Sequence, residues 1–382
     1  MKIFRNEFIK AASDKIIIIF VILSLAVNFS LLIVYSSYRD NTEYVNSVIA
    51  ETGAEITPES VEKMKAISEE KYDSLAKAFF ESYKKEPESI EEIFMYLSGG
   101  IDDGEYYTTE IENYNTLVSM IENAETQLSE AGTGNKKAGY FTSPGVSLVN
   151  ELLYSKLLIY IYIEMSLLGA YMVLKGLYHE FNKDTQNVVF STKTGRSLQR
   201  IKFSASLVYI SVLYWIISLM SLTAYFIFYR MDGFLNLPVS LAGINTPYGF
   251  TVITYLAVHL LIGYLIVIIS LLFAFAVGSF IKNQYMGLVA SLGIILLMFI
   301  LSFGAEDRML TASGILASNP VTLLLNFSRE ESFININTNK WFVSSTGIFA
   351  DKNLVLWVTA SWIAMCAGLA AISSRVFRKK DI

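Results

Sequence analysis

The fold class is decided by residues 251–304, which read TVITYLAVHLLIGYLIVIISLLFAFAVGSFIKNQYMGLVASLGIILLMFILSFG. The stretch is apolar almost throughout, and Lys282, Asn283 and Gln284 interrupt it. One helix of this length would extend about 80 Å at 1.5 Å per residue, whereas the hydrocarbon core of a membrane is about 30 Å thick. The stretch therefore predicts two membrane-crossing helices joined by a short turn.

Other apolar stretches of the chain are also long enough to cross a membrane, which takes roughly 20 residues. The composition agrees, because 53% of the 382 residues are hydrophobic and 17% are charged, and the mean hydropathy is +0.44. The first of these stretches along the chain, residues 16–37, is predicted to be a retained membrane anchor, since its apolar core exceeds the roughly 7–15 residues of a signal peptide. In all, six spans are predicted, at about 16–37, 153–177, 203–229, two within 251–304, and 354–373.

The distribution of Lys and Arg predicts the orientation of these spans, because cytoplasmic loops are enriched in both. If the N-terminus lies inside, the inner segments are 1–15, 178–202, 281–285 and 374–382, and each carries basic residues. In the loop after the third span, residues 230–250, Arg230 is the only basic residue. The sequence thus predicts an all-α membrane protein with both termini in the cytoplasm.

Residues 38–152 predict a helical domain outside the membrane, between the first and second spans. Within it, 38–150 hold 9 Lys and Arg against 22 Asp and Glu, a net charge of −13. The rest of the chain has a net charge of +8, so the two parts are expected in different compartments. Three helices are predicted there: one that begins at Pro58 with Thr57 as its cap, one after Pro87, and one over about 109–128.

Two further segments are predicted to lie at the membrane surface. Residues 1–15 place apolar side chains near one helical face, which is typical of an interfacial helix, although a frayed basic leader is the alternative. Residues 305–353 are partly apolar but are interrupted at Asn319 and Pro320. They predict a pair of re-entrant helices that enter the outer leaflet and are buried against protein.

Polar side chains within the spans are candidates for a transport pathway. Glu164 lies in the second span, where an ionisable group costs several kcal/mol unless it is paired or hydrated. It is interpreted either as a pathway residue or as a hydrogen-bonded carboxyl between helices. His259 is interpreted as a packing residue or a proton relay. The candidates are completed by tyrosines in the second and third spans: Tyr160, Tyr171 and Tyr214.

The sequence contains no motif for catalysis in this chain. No GxxxxGK[ST] phosphate-binding loop is present, and GTGNKKAG at 132–139 has the wrong spacing. The single cysteine, Cys366, excludes an internal disulfide, and two histidines without a Cys/His cluster argue against a structural zinc site. The chain is therefore not expected to be an enzyme or to bind a metal ion or cofactor. Nothing in the sequence indicates nucleic-acid binding.

The inner loop HEFNKDTQNVVFSTKTGRSLQRIKF, residues 179–203, contains an apolar patch between charged flanks. A short amphipathic helix there would dock into a groove of a cytosolic partner. The alternative is a basic loop at an anionic membrane surface.

At this loop the sequence resembles the permease subunits of ABC-2 type bacterial ABC transporters. The matching positions are Glu180, the pair Asp184-Thr185, the apolar stretch 188–190 and the turn STKTGR at 191–196. The family's usual glycine is Asp184 here, and the proline of its turn is absent. The order of predicted segments is also similar: an interfacial helix, a large domain after the first span, a coupling loop at 179–202 and a re-entrant region before the sixth span.

The resemblance implies a multi-pass protein of the bacterial plasma membrane, embedded in lipid and paired with a second permease copy as a homodimer. Two cytosolic ABC ATPase subunits would bind ATP and Mg²⁺ and drive alternating access. The cargo would be an amphipathic peptide, antibiotic or other hydrophobic compound. The residues expected to couple to the ATPase are Glu180, Asp184, Thr185, Val188, Val189, Phe190, Lys193 and Arg196.

Two other functions remain open on the sequence. One is a permease that extrudes cations of the sodium type, for which the polar residues within the spans are few. The other is a membrane sensor or scaffold whose outer domain binds a ligand. A sensor would function without an ATPase partner.

Overall fold

The structure, a computed structural model, describes residues 2–36, 38–100, 104–131, 139–141, 149–182, 193–230, 235–242, 244, 249–281, 283–303, 321 and 352–379. Its contacts divide the chain into two compact units. We call Met1–Leu31, Leu153–Thr223 and Gly243–Ile382 the membrane unit, and Leu32–Leu152 with Ala224–Ala242 the acidic unit. The helices are α1 Lys2–Ala12, α2 Lys15–Val34, α3 Tyr38–Thr52, α4 Pro58–Tyr83, α5 Ile90–Gly100, α6 Gly104–Ala131, α7 Leu158–Asn182, α8 Lys193–Tyr229, α9 Val252–Phe280, α10 Gln284–Phe303 and α11 Lys352–Lys379.

Four of the described helical stretches are long and apolar enough to cross a membrane, and they fall on the first four predicted spans. They are Lys15–Val34, Glu151–His179, Leu198–Tyr229 and Val252–Phe280. The second begins as a π-helical segment, Val149–Leu157, that continues into α7. The prediction of a multi-pass helical membrane protein is confirmed at this level.

The predicted fifth and sixth spans coincide with α10 and α11, whose apolar stretches Gln284–Met298 and Thr359–Ser373 are shorter. The predicted turn before the fifth span is present, since α9 ends at Phe280 and α10 begins at Gln284. Asn283 Oδ1 accepts hydrogen bonds from the backbone N–H groups of Tyr285 and Met286 at 2.9 and 3.2 Å. That side chain satisfies donors that the first turn of a helix otherwise leaves unpaired. Six complete spans and the orientation of the termini remain predictions.

The membrane unit is organised around α9, which packs on α7, α10 and α11. The helix starts at a capping box in which Thr251 and Thr254 exchange side-chain and backbone hydrogen bonds. Most of α7 and α9 is buried within the unit, whereas most of α2 is exposed. The second and fourth spans therefore form the core of this unit, and the apolar surface of the first is left for lipid or another chain.

The acidic unit is helical, as predicted, and α6 packs on α3, α4 and α5. The predicted start of the first of its three predicted helices is confirmed. Thr57 caps α4, Ser60 N–H donates to Thr57 Oγ1 at 3.1 Å, and Pro58 occupies the first helical position. The hydrophobic core holds buried Leu75, Phe79, Ile93, Leu97 and Ile111. These side chains come from α4, α5 and α6, so the three helices share one core.

Two elements of the acidic unit were not predicted. Helix α3 directly follows the first span, and its buried side chains include Val45 and Val48. A short antiparallel pair joins β1 (Glu55–Ile56) to β2 (Gly139–Tyr140), which ties the start of α4 to the chain after α6. The strands have little local signal, because each is two residues long.

An ionic contact also connects the helices of the acidic unit. Lys71 on α4 forms a salt bridge with Glu110 on α6 and places its Nζ 4.3 Å from the centre of the Tyr44 ring on α3. Burial, with the Glu110 carboxylate adding to it, raises the pKa of Tyr44 to about 12. The phenol therefore stays neutral at physiological pH, and the cation lies over an uncharged ring.

We expect Phe79→Ala to destabilise the acidic unit by about 3–5 kcal/mol, because the substitution leaves a cavity in the shared core of α4, α5 and α6. Hydrogen exchange of the amides in 58–131, measured by mass spectrometry on the full chain, reports this as a lower free energy of opening. Phe80→Ala is the matched control, since the neighbouring Phe80 is 46% exposed while Phe79 is 1% exposed. Equal effects of the two substitutions would contradict the assigned core.

Candidate functional site

Glu164 contacts the first span through two polar side chains of the membrane unit. Ser24 Oγ and Asn28 Nδ2 both donate hydrogen bonds to Glu164 Oε2, the second over 3.4 Å. Ser24 and Asn28 are four residues apart on α2, so they lie on one helical face, and both are buried. A carboxyl in a span thus has the hydrogen-bond partners that lipid does not provide.

These hydrogen bonds connect α2 to α7 within otherwise apolar parts of both helices. Asn28 Oδ1 is buried and has no hydrogen-bond partner within the described residues. The contact brings together a carboxyl and a hydroxyl, whose oxygens are ligand types that hard cations prefer, whereas Asn28 faces the carboxyl with its amide nitrogen. Of the two interpretations of Glu164, the hydrogen-bonded carboxyl between helices is the arrangement present here, and a role in transport remains a prediction.

His259 lies in a second polar cluster, formed by α7, α8 and α9. Tyr162 Oη is 2.9 Å from His259 Nδ1 and donates to the His259 carbonyl over 3.1 Å. Tyr214 donates to the carbonyl of Leu260 over 2.6 Å. The rings pack as well: Tyr162 and Tyr214 are stacked with centroids 6.1 Å apart. We call Tyr154, Tyr162, Tyr214, Tyr255 and His259 the tyrosine–histidine cluster.

The hydrogen bonds restrict the protonation of His259. A hydroxyl carries one proton, so if Tyr162 donates to the His259 carbonyl, Nδ1–H must donate to the Tyr162 oxygen. Nε2 is then an acceptor, and it is buried without a hydrogen-bond partner in the described part of the chain. His259 is 1% exposed, so it is packed between helices, and a role as a proton relay remains a prediction.

A glycine makes room for this cluster. A Cβ built on Gly263, one turn after His259, would lie 2.2 Å from two ring carbons of Tyr162. Glycine therefore permits the Tyr162 ring to lie against the backbone of α9, where small residues are commonly found between packed membrane helices.

The five pathway candidates do not all come together. Tyr214 and His259 belong to the tyrosine–histidine cluster, whereas Glu164 belongs to the separate contact with α2. Tyr160 is 41% exposed on α7. The Tyr171 ring lies next to Lys175, whose Nζ is 5.4 Å from its centre. The candidates thus have different surroundings on α7, α8 and α9, and a shared role in one pathway remains a prediction.

The coupling residues lie mostly beyond what the structure describes. Glu180 is in the last turn of α7, and Lys193 and Arg196 are in the first turn of α8. The remaining predicted coupling residues fall outside the described residues: Asp184, Thr185, Val188, Val189 and Phe190. The predicted re-entrant region, 305–353, likewise lies almost entirely outside them.

Comparison with known proteins does not assign this chain to a family. No family model, no curated protein and no solved structure matches it. Within the described residues, no group of three or more His, Cys, Asp or Glu side chains is placed to hold a metal ion.

Sequence reasoning missed Ser24, Asn28, Tyr255 and Gly263. Ser24 and Asn28 carried a usable signal, because two polar residues at i and i+4 mark one face of an otherwise apolar helix. Tyr255 and Gly263 had none, since tyrosines and glycines are common in membrane helices and their roles depend on α7.

We expect Glu164→Leu to lower the free energy of unfolding by about 1–3 kcal/mol, because it leaves the buried Ser24 and Asn28 side chains without their acceptor. Equilibrium unfolding in mixed micelles measures the change. Glu164→Gln keeps an acceptor oxygen and should cost less. If Leu and Gln are equally tolerated, the hydrogen bonds to α2 do not contribute to stability.

We expect Gly263→Ala to destabilise the membrane unit by about 1–3 kcal/mol, because the added methyl group forces the Tyr162 ring out of position. Thermal unfolding in detergent, followed by tryptophan fluorescence, tests this. Gly293→Ala is the control, since a Cβ there meets no atom within 4 Å. Unchanged stability of Gly263→Ala would show that the cluster tolerates repacking.

Proposed function

We propose that the chain is the permease subunit of an ATP-driven ABC exporter in a bacterial plasma membrane. It pairs with a second permease copy and with separate cytosolic ATPase subunits that bind ATP and Mg²⁺. The cargo is an amphipathic peptide, antibiotic or other hydrophobic compound, moved outward by alternating access.

The order of elements along the chain carries this proposal. A short basic helix, α1, precedes the first span, a helical acidic unit follows it, and further apolar helices come after the second span. A basic segment connects the second and third spans, where the resemblance to ABC-2 permeases is found. This order supports a permease. The sequence contains no phosphate-binding loop, which supports ATP hydrolysis in a partner subunit.

The exposed surface of the spans supports a second permease copy. Large apolar side chains on α2 are exposed within the described structure, including Ile19 at 57%, Ile22 at 61% and Val34 at 74%. Lipid covers part of such a surface, and a second copy would cover another part. The tyrosine–histidine cluster adds hydroxyl groups to an apolar interior, which suits an amphipathic cargo better than a strongly charged one.

Cation extrusion is the second candidate, and the contact between Glu164 and α2 favours it. The Glu164 carboxyl and the Ser24 hydroxyl lie together there, and oxygen atoms are the ligands of hard cations. Efflux of sodium from loaded membrane vesicles tests this alternative. If Glu164→Gln retains full sodium efflux, or if the wild type has none, this alternative is rejected.

The decisive experiment for the exporter is purification of the tagged chain from its own membranes. We expect an ATPase with a phosphate-binding loop to copurify with the wild-type chain. Phe190→Asp should abolish this copurification and uncouple ATP hydrolysis from export, because it places a charge in the apolar patch proposed to dock into the partner. Membrane insertion should be unchanged.

Phe80→Asp is the control for the added charge, since Phe80 is exposed in the acidic unit, far along the chain from the coupling loop. It should retain the ATPase. Copurification and wild-type export in Phe190→Asp would contradict docking at this loop. Full function without any ATPase partner would instead favour a sensor or scaffold.

A further inference from the structure

The membrane unit contains a cavity of about 540 Å³ at the ends of three spans. It is lined by residues from the junction of α1 and α2, the end of α7 and the start of α8. Lys15 begins the first span, Lys175 lies near the end of the second, and Lys202 lies near the start of the third. Because consecutive spans cross in opposite directions, these three positions lie at the same membrane face.

The lining of the cavity is amphipathic. Lys10, Lys15, Lys175 and Lys202 line it together with Glu7 and Asp14, which leaves an excess of two positive charges when the histidine in the lining is neutral. The rest of the lining includes apolar side chains that are buried: Ile17, Met172 and Ala205. Positive charge next to an apolar wall, at the level of a membrane surface, matches an anionic headgroup joined to an acyl chain.

Internal contacts hold several of these charges in place. Lys175 forms a salt bridge with Asp14, and Lys10 pairs with Glu7 at 2.7 Å. Lys202 is 4% exposed and donates to the carbonyl of Gly176 over 3.0 Å. Asp14 also accepts a hydrogen bond from the backbone N–H of Ile16 at 3.1 Å, at the start of α2. Ion pairs and hydrogen bonds therefore connect the elements that line the cavity.

We propose that this cavity binds one anionic membrane phospholipid, with the phosphate at the lysines and an acyl chain along the apolar wall. The volume lies within the roughly 300–1,000 Å³ usual for small-molecule sites, so it accepts a headgroup and the first part of a chain. Lys10 and Lys15 are exposed and reach the phosphate from the α1–α2 junction. The site requires a membrane location and is independent of the proposed transport activity.

The test uses the full chain in detergent, titrated with phosphatidylglycerol or with phosphatidylcholine, and counts bound lipid by native mass spectrometry. We expect preferential binding of one phosphatidylglycerol. Lys15→Gln should weaken that binding about fivefold and Lys10→Gln/Lys15→Gln about 25-fold, since each lysine near an anionic headgroup contributes about 1 kcal/mol. Both side chains are exposed, so the variants are expected to fold.

Arg5→Gln is the matched control, because Arg5 is an exposed cation of α1 that does not line the cavity. It should leave binding unchanged. Equal binding of the two lipids, or equal loss in Arg5→Gln and Lys15→Gln, would overturn the proposal. Inorganic phosphate is the last arm: full displacement of the lipid at equal concentration would identify a site for free phosphate and reject the lipid.

Discussion

Hydrocarbon offers no hydrogen-bond partner to a polar group, and the arrangement of the membrane unit depends on that constraint. Tyr154 donates to the carbonyl of Val252, and Tyr214 donates to that of Leu260. Glu164 receives hydrogen bonds from α2. Each of these side chains finds its partner on a neighbouring helix, so the polar residues determine which apolar helices become neighbours.

The acidic unit follows the rules of a domain in water. Its helices share a core of aliphatic and aromatic side chains, and its carboxylates are mostly left at the surface. The salt bridge between Lys71 and Glu110 crosses from α4 to α6, where it adds to packing that burial already provides. The net negative charge of this part therefore lies mostly on exposed side chains, and a role for it in binding remains a prediction.

The polar features of the membrane unit lie at separate positions. The tyrosine–histidine cluster holds α7, α8 and α9 together, and the Glu164 contact attaches α2. The lysine-lined cavity lies at the span ends, where α1 meets α2.

Much of the fold was determined by the sequence alone, because hydropathy and capping are local properties. The four candidate spans follow from runs of apolar residues, and the start of α4 follows from Thr57 and Pro58. The charge separation between the two units is also a property of composition. The tertiary structure decided which helices, and which of their faces, pack against one another. Helix α9 is apolar on all sides, so its sequence does not indicate which face meets α7. That face is selected by shape and by hydrogen bonds across the interface: Gly263 leaves space for the Tyr162 ring, and His259 pairs with its hydroxyl.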